Sequence, residues 1–190
     1  MEPLGGREIR DALLELAEKL SRRGVHGRLY IAGGAAMAMA HDTDKHTRDI
    51  DAAILEGHSA IINAVREIAR ERHWPSTWLN EQATAYMPTV PDARGRVVLD
   101  HPALKVVVAS REHMLAMKVR AARIADVDDT RRLLRNLDLR RVEQVEALVE
   151  SVFPGEPLGH RQREWLGQLC AATWASADEG PDPDADRLDG

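Results

Sequence analysis

Two aspartates separated by a single residue, Asp49 and Asp51, form the clearest chemical pattern in this chain. They fall in a run from Arg48 to Leu55 whose composition predicts a β-strand. Because side chains alternate along a strand, we expect the two carboxylates on one face and the apolar residues of the run on the other. Carboxylates held this close repel each other, and a divalent cation such as Mg²⁺ or Mn²⁺ relieves the repulsion. The alternative is an exposed strand end whose aspartates pair with arginines.

A pair of glycines precedes the aspartates. Gly33 and Gly34 stand between a predicted strand, Arg28 to Ala32, and a predicted helix, Ala35 to Ala40. Glycine allows the backbone to approach a ligand closely, and the amides that open a helix attract phosphate. For two glycines alone, a tight turn packed beneath a helix is the simpler interpretation. Their spacing does not match the dinucleotide-binding or P-loop fingerprints.

Taken together, the glycine turn and the Asp-X-Asp strand resemble the nucleotidyltransferase superfamily of DNA polymerase β. The sequence from Thr47 to Asp51 is similar to the AbiEii and MenT branch, many of whose members are toxins of bacterial toxin–antitoxin systems. The resemblance covers about Leu13 to Phe153, which is most of the chain. It implies an α/β (α+β) fold, with a small mixed sheet of the nucleotidyltransferase type and a helical C-terminal half.

The resemblance also implies an activity: transfer of a nucleoside monophosphate from a nucleoside triphosphate to tRNA or a protein, with an antitoxin as partner if the protein is a toxin. Asp49 and Asp51 would hold the metal ion, Gly33 and Gly34 the phosphates, and Arg48 would either steer phosphate or pair with an acid. Many catalytic members carry Ser after the first glycine, and residue 34 here has no hydroxyl. Two alternatives therefore stay open: a catalytically weak nucleotide-binding homologue and a non-enzymatic, partner-binding regulator.

A third acid and a lysine belong to the same resemblance. Asp100 follows the predicted strand Arg96 to Leu99 and is the candidate for a third metal ligand. In the toxin-like branch a helical lysine precedes paired acids, and Lys118, Asp126 and Asp129 match that order. The lysine either binds the triphosphate or snorkels to the surface. For the two acids we expect one of three roles: contact with the metal ion, for which Asp129 is the candidate, orientation of the lysine side chain, or capping of a helix N-terminus.

The order of predicted elements places strands early in the chain and only helices in its later part. We expect a nucleotidyltransferase-like α/β core at 1–110, a helical region packed on it at 111–176, and a disordered acidic tail at 177–190. Three predicted helices have boundaries that bear on the site: Ser59 to Arg72, Thr77 to Ala83 and Ser110 to Ala125. A further strand is predicted at Lys105 to Val108, and further helices at Asp128 to Asn136, Val142 to Val152 and His160 to Trp174.

An irregular segment rich in tryptophan lies between the third predicted helix and the later strands. Trp74, Trp78 and Asn80 could flank the nucleotide base, although a core position is the favoured interpretation of Trp78.

Composition limits the possible classes. The chain has 190 residues, 44% of them hydrophobic, and a net charge of -5, which argues against coating nucleic acid through bulk charge. Arginines nevertheless cluster between Arg131 and Arg141. The single cysteine, Cys170, excludes an intramolecular disulfide and falls in an apolar helical pattern that predicts a buried, inert thiol. No run has the pattern of a signal peptide or the roughly 18 apolar residues of a membrane helix, so we expect a cytoplasmic protein without membrane contact.

Overall fold

The computed structural model describes residues 2–41 and 45–175. The predicted tail at 177–190 and positions 42–44 of the predicted polar loop lie outside the described residues. The chain divides into two compact units, one ending at Met114 and the other beginning at Leu115. Among the described helices, none is both long and apolar enough to cross a membrane.

A mixed sheet forms the centre of the first unit. Its five strands in the described residues are β1 (Gly27–Ile31), β2 (Ile50–Glu56), β3 (Leu79–Asn80), β4 (Arg96–His101) and β5 (Leu104–Val108). They lie in the order β3-β2-β1-β5-β4. β1 pairs with β5, and β2 with β3, in parallel, whereas the β1–β2 and β4–β5 pairs are antiparallel. The mixed sheet confirms the predicted fold class.

Helices precede, separate and follow these strands. The described α-helices are α1 (Gly6–Arg22), α2 (Gly33–Ala36), α3 (His58–Glu71), α4 (Arg111–Ala121), α5 (Val127–Asn136), α6 (Val142–Val152) and α7 (His160–Trp174). Helix α2 passes directly into a π-helical turn, Met37–His41. The predominance of helices after β5 confirms the expected helical C-terminal half.

One face of the sheet is apolar, and the core lies against it. Leu29 of β1 stands beside Val106 of β5, and both are fully buried. Helices α1 and α3 contact the strands and each other through apolar residues at helical spacing. Burying each such aliphatic side chain contributes about 1.5–3 kcal/mol. Because side chains alternate, the other face carries Tyr30 and Asp51, which leaves that face available to polar chemistry.

The start of α3 differs from the predicted cap at Ser59. The helix begins at His58, after Gly57 with φ +74°. A Cβ atom at Gly57 would lie 2.6 Å from the carbonyl oxygen of His26. Glycine therefore sets this boundary by conformation and close approach, and no side chain caps the helix.

The predicted helix from Thr77 to Ala83 is wrong. Leu79 and Asn80 instead form β3, and a 3₁₀ turn follows at Gln82–Tyr86. Trp78 is fully buried and its Nε1 donates a hydrogen bond to the Val65 carbonyl at 3.0 Å, which confirms its core position. Burial of this ring and pairing with β2 override the local helical pattern.

Helix boundaries in the second unit are close to the predictions, with one exception. Helices α6 and α7 have the predicted bounds. Helix α4 ends at Ala121 and not near Ala125, because Ala122 adopts a left-handed conformation with φ +44°. Cys170 is buried in α7, and burial raises the pKa of its thiol, as expected for an unreactive cysteine.

Candidate active site

The glycine turn and the second aspartate meet at one end of the sheet. Gly33 has φ +65°, and a Cβ atom there would lie 2.8 Å from Oδ2 of Asp51. The Ala32 amide also donates to the Asp51 carbonyl at 2.9 Å, which ties the end of β1 to the start of β2. Only glycine meets both the left-handed backbone and the close approach. The structure therefore brings Asp51 against the turn that the sequence indicated.

The second glycine faces a threonine. A Cβ atom at Gly34 would lie 2.7 Å from Oγ1 of Thr47 and 3.1 Å from its Cβ. Two backbone hydrogen bonds with Leu4, of 2.6 and 2.9 Å, hold Thr47 in place, and its hydroxyl donates to the Asp49 carbonyl at 3.1 Å. A hydroxyl thus occupies the space that a side chain at position 34 would need. The sequence assigned Thr47 no role; only its place beside the Asp-X-Asp pattern marks it.

The first aspartate lies just before the strand. The strand predicted from Arg48 begins instead at Ile50, so Asp49 occupies a bend. Asn80 donates from Nδ2 to Asp49 Oδ2 at 3.1 Å and stands beside Asp51 in the β2–β3 pair. Because neighbours in register share a face, this amide places both aspartates on one side of the sheet. Both are only partly buried.

Asp100 does not join this pair. Along the sheet it stands level with Lys105, Arg28 and Glu56, because these residues are successive partners in register. Asp51 lies at the other end of β2, about 16 Å away along the strand and three strands across. The strand end in the sequence suggested a third ligand, but the antiparallel turn of β4 points that end away from the site.

The site offers two carboxylates to a metal ion. Across the described residues, no cluster of three or more His, Cys, Asp or Glu side chains is arranged to hold one. Mg²⁺ commonly uses one or two carboxylates and completes its shell with water and substrate phosphates. Asp49 and Asp51 therefore fit a magnesium ion that arrives with a nucleotide.

Lys118 and its two acids form a cluster within the second unit. The Lys118 side chain is 7% exposed, and its Nζ lies 2.5 Å from Asp126 Oδ1 and 3.0 Å from Asp129 Oδ2. The alternative that this lysine snorkels to the surface is therefore wrong. Asp126 precedes α5, but its carboxylate makes no cap hydrogen bond with the helix amides. The two acids compensate a buried ammonium that would otherwise be costly.

A family model described as "Nucleotidyltransferase of unknown function (DUF6036)" matches residues 11–154. The chain belongs to the DUF6036 family. The match includes the glycine turn, both aspartates and Lys118, and it agrees with the resemblance to nucleotidyltransferases. No curated protein and no solved structure matches this chain significantly.

This DUF6036 protein carries a second carboxylate site that the sequence did not indicate. Asp92, with a side chain 4% exposed, accepts hydrogen bonds from the Tyr30 hydroxyl at 2.6 Å and the Ser110 amide at 2.7 Å, and His113 Nδ1 lies 3.4 Å away. Burial opposes the charge on Asp92, but these hydrogen bonds outweigh it and lower its pKa. Burial and the bond to Asp92 raise the pKa of Tyr30.

The proposed base-flanking residues of the DUF6036 chain separate into different environments. Trp78 belongs to the core, and Trp74 packs edge-on against it with ring centroids 5.5 Å apart. Asn80 alone among the three contacts a candidate catalytic side chain, Asp49. Arg48 is exposed beside that aspartate. The polar end of β2 and β3 is therefore the part of this segment that can contact a nucleotide.

Proposed function

We propose that this DUF6036 protein transfers a nucleoside monophosphate from a nucleoside triphosphate to a hydroxyl of tRNA or of a protein. The observation that carries the proposal is the contact between Asp51 and Gly33, with Asp49 on the same side of the sheet. Asp49 and Asp51 hold Mg²⁺ or Mn²⁺, which neutralises triphosphate charge when bound. The acceptor oxygen bonds to the α-phosphorus, the bond to the bridging oxygen breaks, pyrophosphate leaves, and the hydroxyl proton passes to solvent.

The glycine turn binds the phosphate chain in this proposal. Backbone amides at Gly33 and Gly34 open a continuous helical segment that ends at His41, and neither glycine carries a side chain of its own. The Thr47 hydroxyl lies over Gly34, and in this proposal it exchanges its hydrogen bond to the Asp49 carbonyl for one to a phosphate, which supplies the donor that residue 34 lacks. Most of the rate gain then comes from positioning and from charge neutralisation.

A role for Lys118 in binding the triphosphate is carried over from the resemblance alone. Its ammonium donates hydrogen bonds to two carboxylate partners, Asp126 and Asp129, and these fix the direction of the side chain. In this role Asp126 and Asp129 act on the lysine, and Asp129 need not contact the metal ion.

Labelled nucleotides test the proposal. The protein is incubated with Mg²⁺ and each α-labelled nucleoside triphosphate, with and without tRNA, and label on RNA or protein is counted. We expect metal-dependent label with one or more nucleotides, and loss of label in the Asp51→Ala form. If neither RNA nor protein becomes labelled, yet nucleotide and Mg²⁺ still raise the melting temperature, the protein is a nucleotide-binding homologue without transfer activity. Gly34, where many catalytic members carry Ser, favours this second candidate.

The toxin role is a finer proposal with its own test. Members of the branch that the sequence resembles are often toxins, so induced expression is expected to slow bacterial growth, while the Asp51→Ala form leaves growth unchanged. Equal slowing by both forms contradicts a toxin that acts by nucleotidyl transfer. If no nucleotide changes the melting temperature of the protein in the presence of Mg²⁺, the result fits the partner-binding regulator instead.

A further inference from the structure

A cavity of about 270 Å³ opens on the sheet face that carries Asp51. Tyr30 of β1, Leu55 of β2 and Val107 of β5 line it from three strands, and residues 87–92 line it from the segment that precedes β4. All of these residues belong to the first unit. We name this cavity the Tyr30 pocket.

The Tyr30 pocket lies close to the aspartates. Tyr30 stands opposite Ala53 in the β1–β2 pair, and Ala53 is two residues from Asp51 on the same face of β2. The pocket therefore begins about 7 Å along the strand and one strand spacing, about 5 Å, from Asp51. From Tyr30 to Gly33 the distance along the chain is three residues, or about 10 Å. A molecule whose phosphates lie at the glycine turn can extend back along this face and reach the pocket.

A β-bulge presents Leu55 to the pocket. The register pairs Leu29 with Ile54 and Arg28 with Glu56, so β2 has one extra residue at this point, and that residue is Leu55. A bulge bends its strand and re-aims a side chain, and bulges are frequent beside active sites. The Leu55 side chain is 50% exposed. The backbone thus holds an apolar side chain at the pocket, where a ligand can contact it.

Buried polar groups hold the wall formed by residues 87–92. Asp92 accepts a hydrogen bond from the Tyr30 hydroxyl at 2.6 Å, and His113 Nε2 lies 3.3 Å from the Val90 carbonyl. Two prolines restrict the backbone of the same segment. The pocket is therefore formed before a ligand binds, which lowers the entropic cost of binding. Asp92→Asn keeps an acceptor oxygen for the Tyr30 hydroxyl, so the wall should hold in that variant.

The chemistry of the pocket suits a flat ring with a polar edge. Its lining is mainly aliphatic, from β2, β5 and the segment 87–92. The Tyr30 hydroxyl donates its proton to Asp92 and can still accept a hydrogen bond, and the Arg28 guanidinium can donate one. Pockets for whole ligands usually span about 300–1,000 Å³, so this smaller pocket fits a single ring system.

We propose that the Tyr30 pocket binds the base of the nucleoside triphosphate whose phosphates lie at the glycine turn. Every base has two apolar faces and a polar edge. Arg28 is the one Lys or Arg side chain among the described residues that line the pocket, so the lining does not match a phosphate chain. The position of the phosphates rests on the proposed function, whereas binding of a base in the pocket does not.

Calorimetry with two ligands tests the proposal: a non-transferable nucleoside triphosphate and inorganic tripolyphosphate, each with Mg²⁺. Leu55→Ser is expected to weaken nucleotide binding about five- to tenfold, because apolar contact with the base is lost, and to leave the affinity for tripolyphosphate within about twofold. Met87→Ser, in the wall of the pocket, should have the same two effects. Unchanged nucleotide affinity in both variants, or an equal loss of tripolyphosphate affinity, overturns the proposal.

Val97→Ser is the matched control. Val97 is 45% exposed on β4, close to the exposure of Leu55, but it lines a different cavity beside α1. This variant is expected to leave both affinities within about twofold. Equal losses of nucleotide affinity in Val97→Ser and Leu55→Ser show a general effect on the sheet and overturn the proposal. If Leu55→Ser keeps its nucleotide affinity but raises the KM for an acceptor in the labelling assay, the pocket holds the acceptor, and the proposal is also overturned.

Nucleosides without phosphate distinguish the failure of this inference from the failure of the proposed function. By saturation-transfer NMR, at least one common ribonucleoside is expected to bind weakly without Mg²⁺, and Leu55→Ser should reduce the signal. If this result is found but neither nucleotide nor tripolyphosphate shows Mg²⁺-dependent binding, the transferase is refuted and the pocket stands. If no nucleoside binds, and tripolyphosphate binds with Mg²⁺ as tightly as nucleotide does, the pocket alone is refuted.

Discussion

Two carboxylate sites on the same unit have opposite environments. Asp92 is buried, and a hydroxyl and a backbone amide donate to its carboxylate. Asp49 and Asp51 are partly exposed, lie on one side of the sheet, and adjoin a glycine turn with no side chain of its own. The first arrangement satisfies a charge inside the protein, and the second leaves charge facing solvent beside a backbone that can approach a ligand.

The difference separates stability from function. A buried carboxylate with well-placed donors stabilises the fold, because its loss leaves the donors without an acceptor. Two aspartates held together at a surface are mutually repulsive and contribute little to stability, which is typical of a site shaped for a cation. Substitutions at the two sites should therefore change different measurements.

The largest expected effect is on transfer. Asp51→Asn is expected to lower the rate of nucleotidyl transfer by about 10²-fold or more, because it removes the charge that positions the metal ion. Its free energy of unfolding should change less than that of the Asp92 variant, because Asp51 is only partly buried. A rate within a few-fold of wild type in the labelling assay contradicts the role of Asp51.

The matching change at the buried carboxylate, Asp92, should act on stability. Asp92→Asn is expected to lower the free energy of unfolding by about 2–3 kcal/mol, because the Tyr30 hydroxyl and Ser110 amide lose a charged acceptor. Urea denaturation measures the loss, and nucleotide affinity should stay the same. If the denaturation midpoint of the variant is unchanged, or if the folded variant no longer binds nucleotide, the distinction between the two sites is contradicted.

The contact between Gly34 and Thr47 allows an exchange experiment. Gly34→Ser is expected to cost about 1–2 kcal/mol and to weaken nucleotide binding, because the new Cβ meets the Thr47 hydroxyl. The double variant with Thr47→Ala moves the hydroxyl to position 34 and should recover part of both losses, because the Cβ of residue 47 remains 3.1 Å away. Additive effects in a double-mutant cycle show that the two positions are not coupled in this way.

The smallest expected effect is a dependence of stability on pH. The folded pKa of Asp92 lies below its unfolded value, so its contribution is fully present above about pH 4 and is lost as the pH falls toward the folded pKa. Asp92→Asn should therefore show a shallower loss of unfolding free energy over that acidic range. Parallel curves for both proteins contradict the assignment.

Much of the fold follows from local pattern. Four of the strands and the helices α5 to α7 were predictable. Apolar residues recur at helical spacing in these helices, and short apolar or alternating runs mark the strands. The sequence did not indicate β3, since two residues gain their structure only from pairing with β2. The start of α3 depends on a close contact between Gly57 and His26, which no local pattern contains.

The site was predictable in part for the same reason. Asp49, Asp51 and the two glycines stand in short, recognisable patterns, and Lys118 is conspicuous as a charge in an apolar helix. Thr47 and Asp92 depend on contacts between distant parts of the chain. Asp100 shows the opposite error: a strand end marks an acid in the sequence, but sheet topology decides which end of the sheet it reaches.

Titration calorimetry with a non-transferable nucleoside triphosphate tests the central claim most directly. The account predicts that wild-type protein binds the nucleotide with Mg²⁺ and only weakly without it, and that Asp49→Asn and Asp51→Asn each abolish the metal-dependent part while Asp92→Asn retains it. Binding of equal strength without Mg²⁺, or unaltered binding in the Asp49 and Asp51 variants, contradicts the assignment of these aspartates and the glycine turn as a metal–nucleotide site.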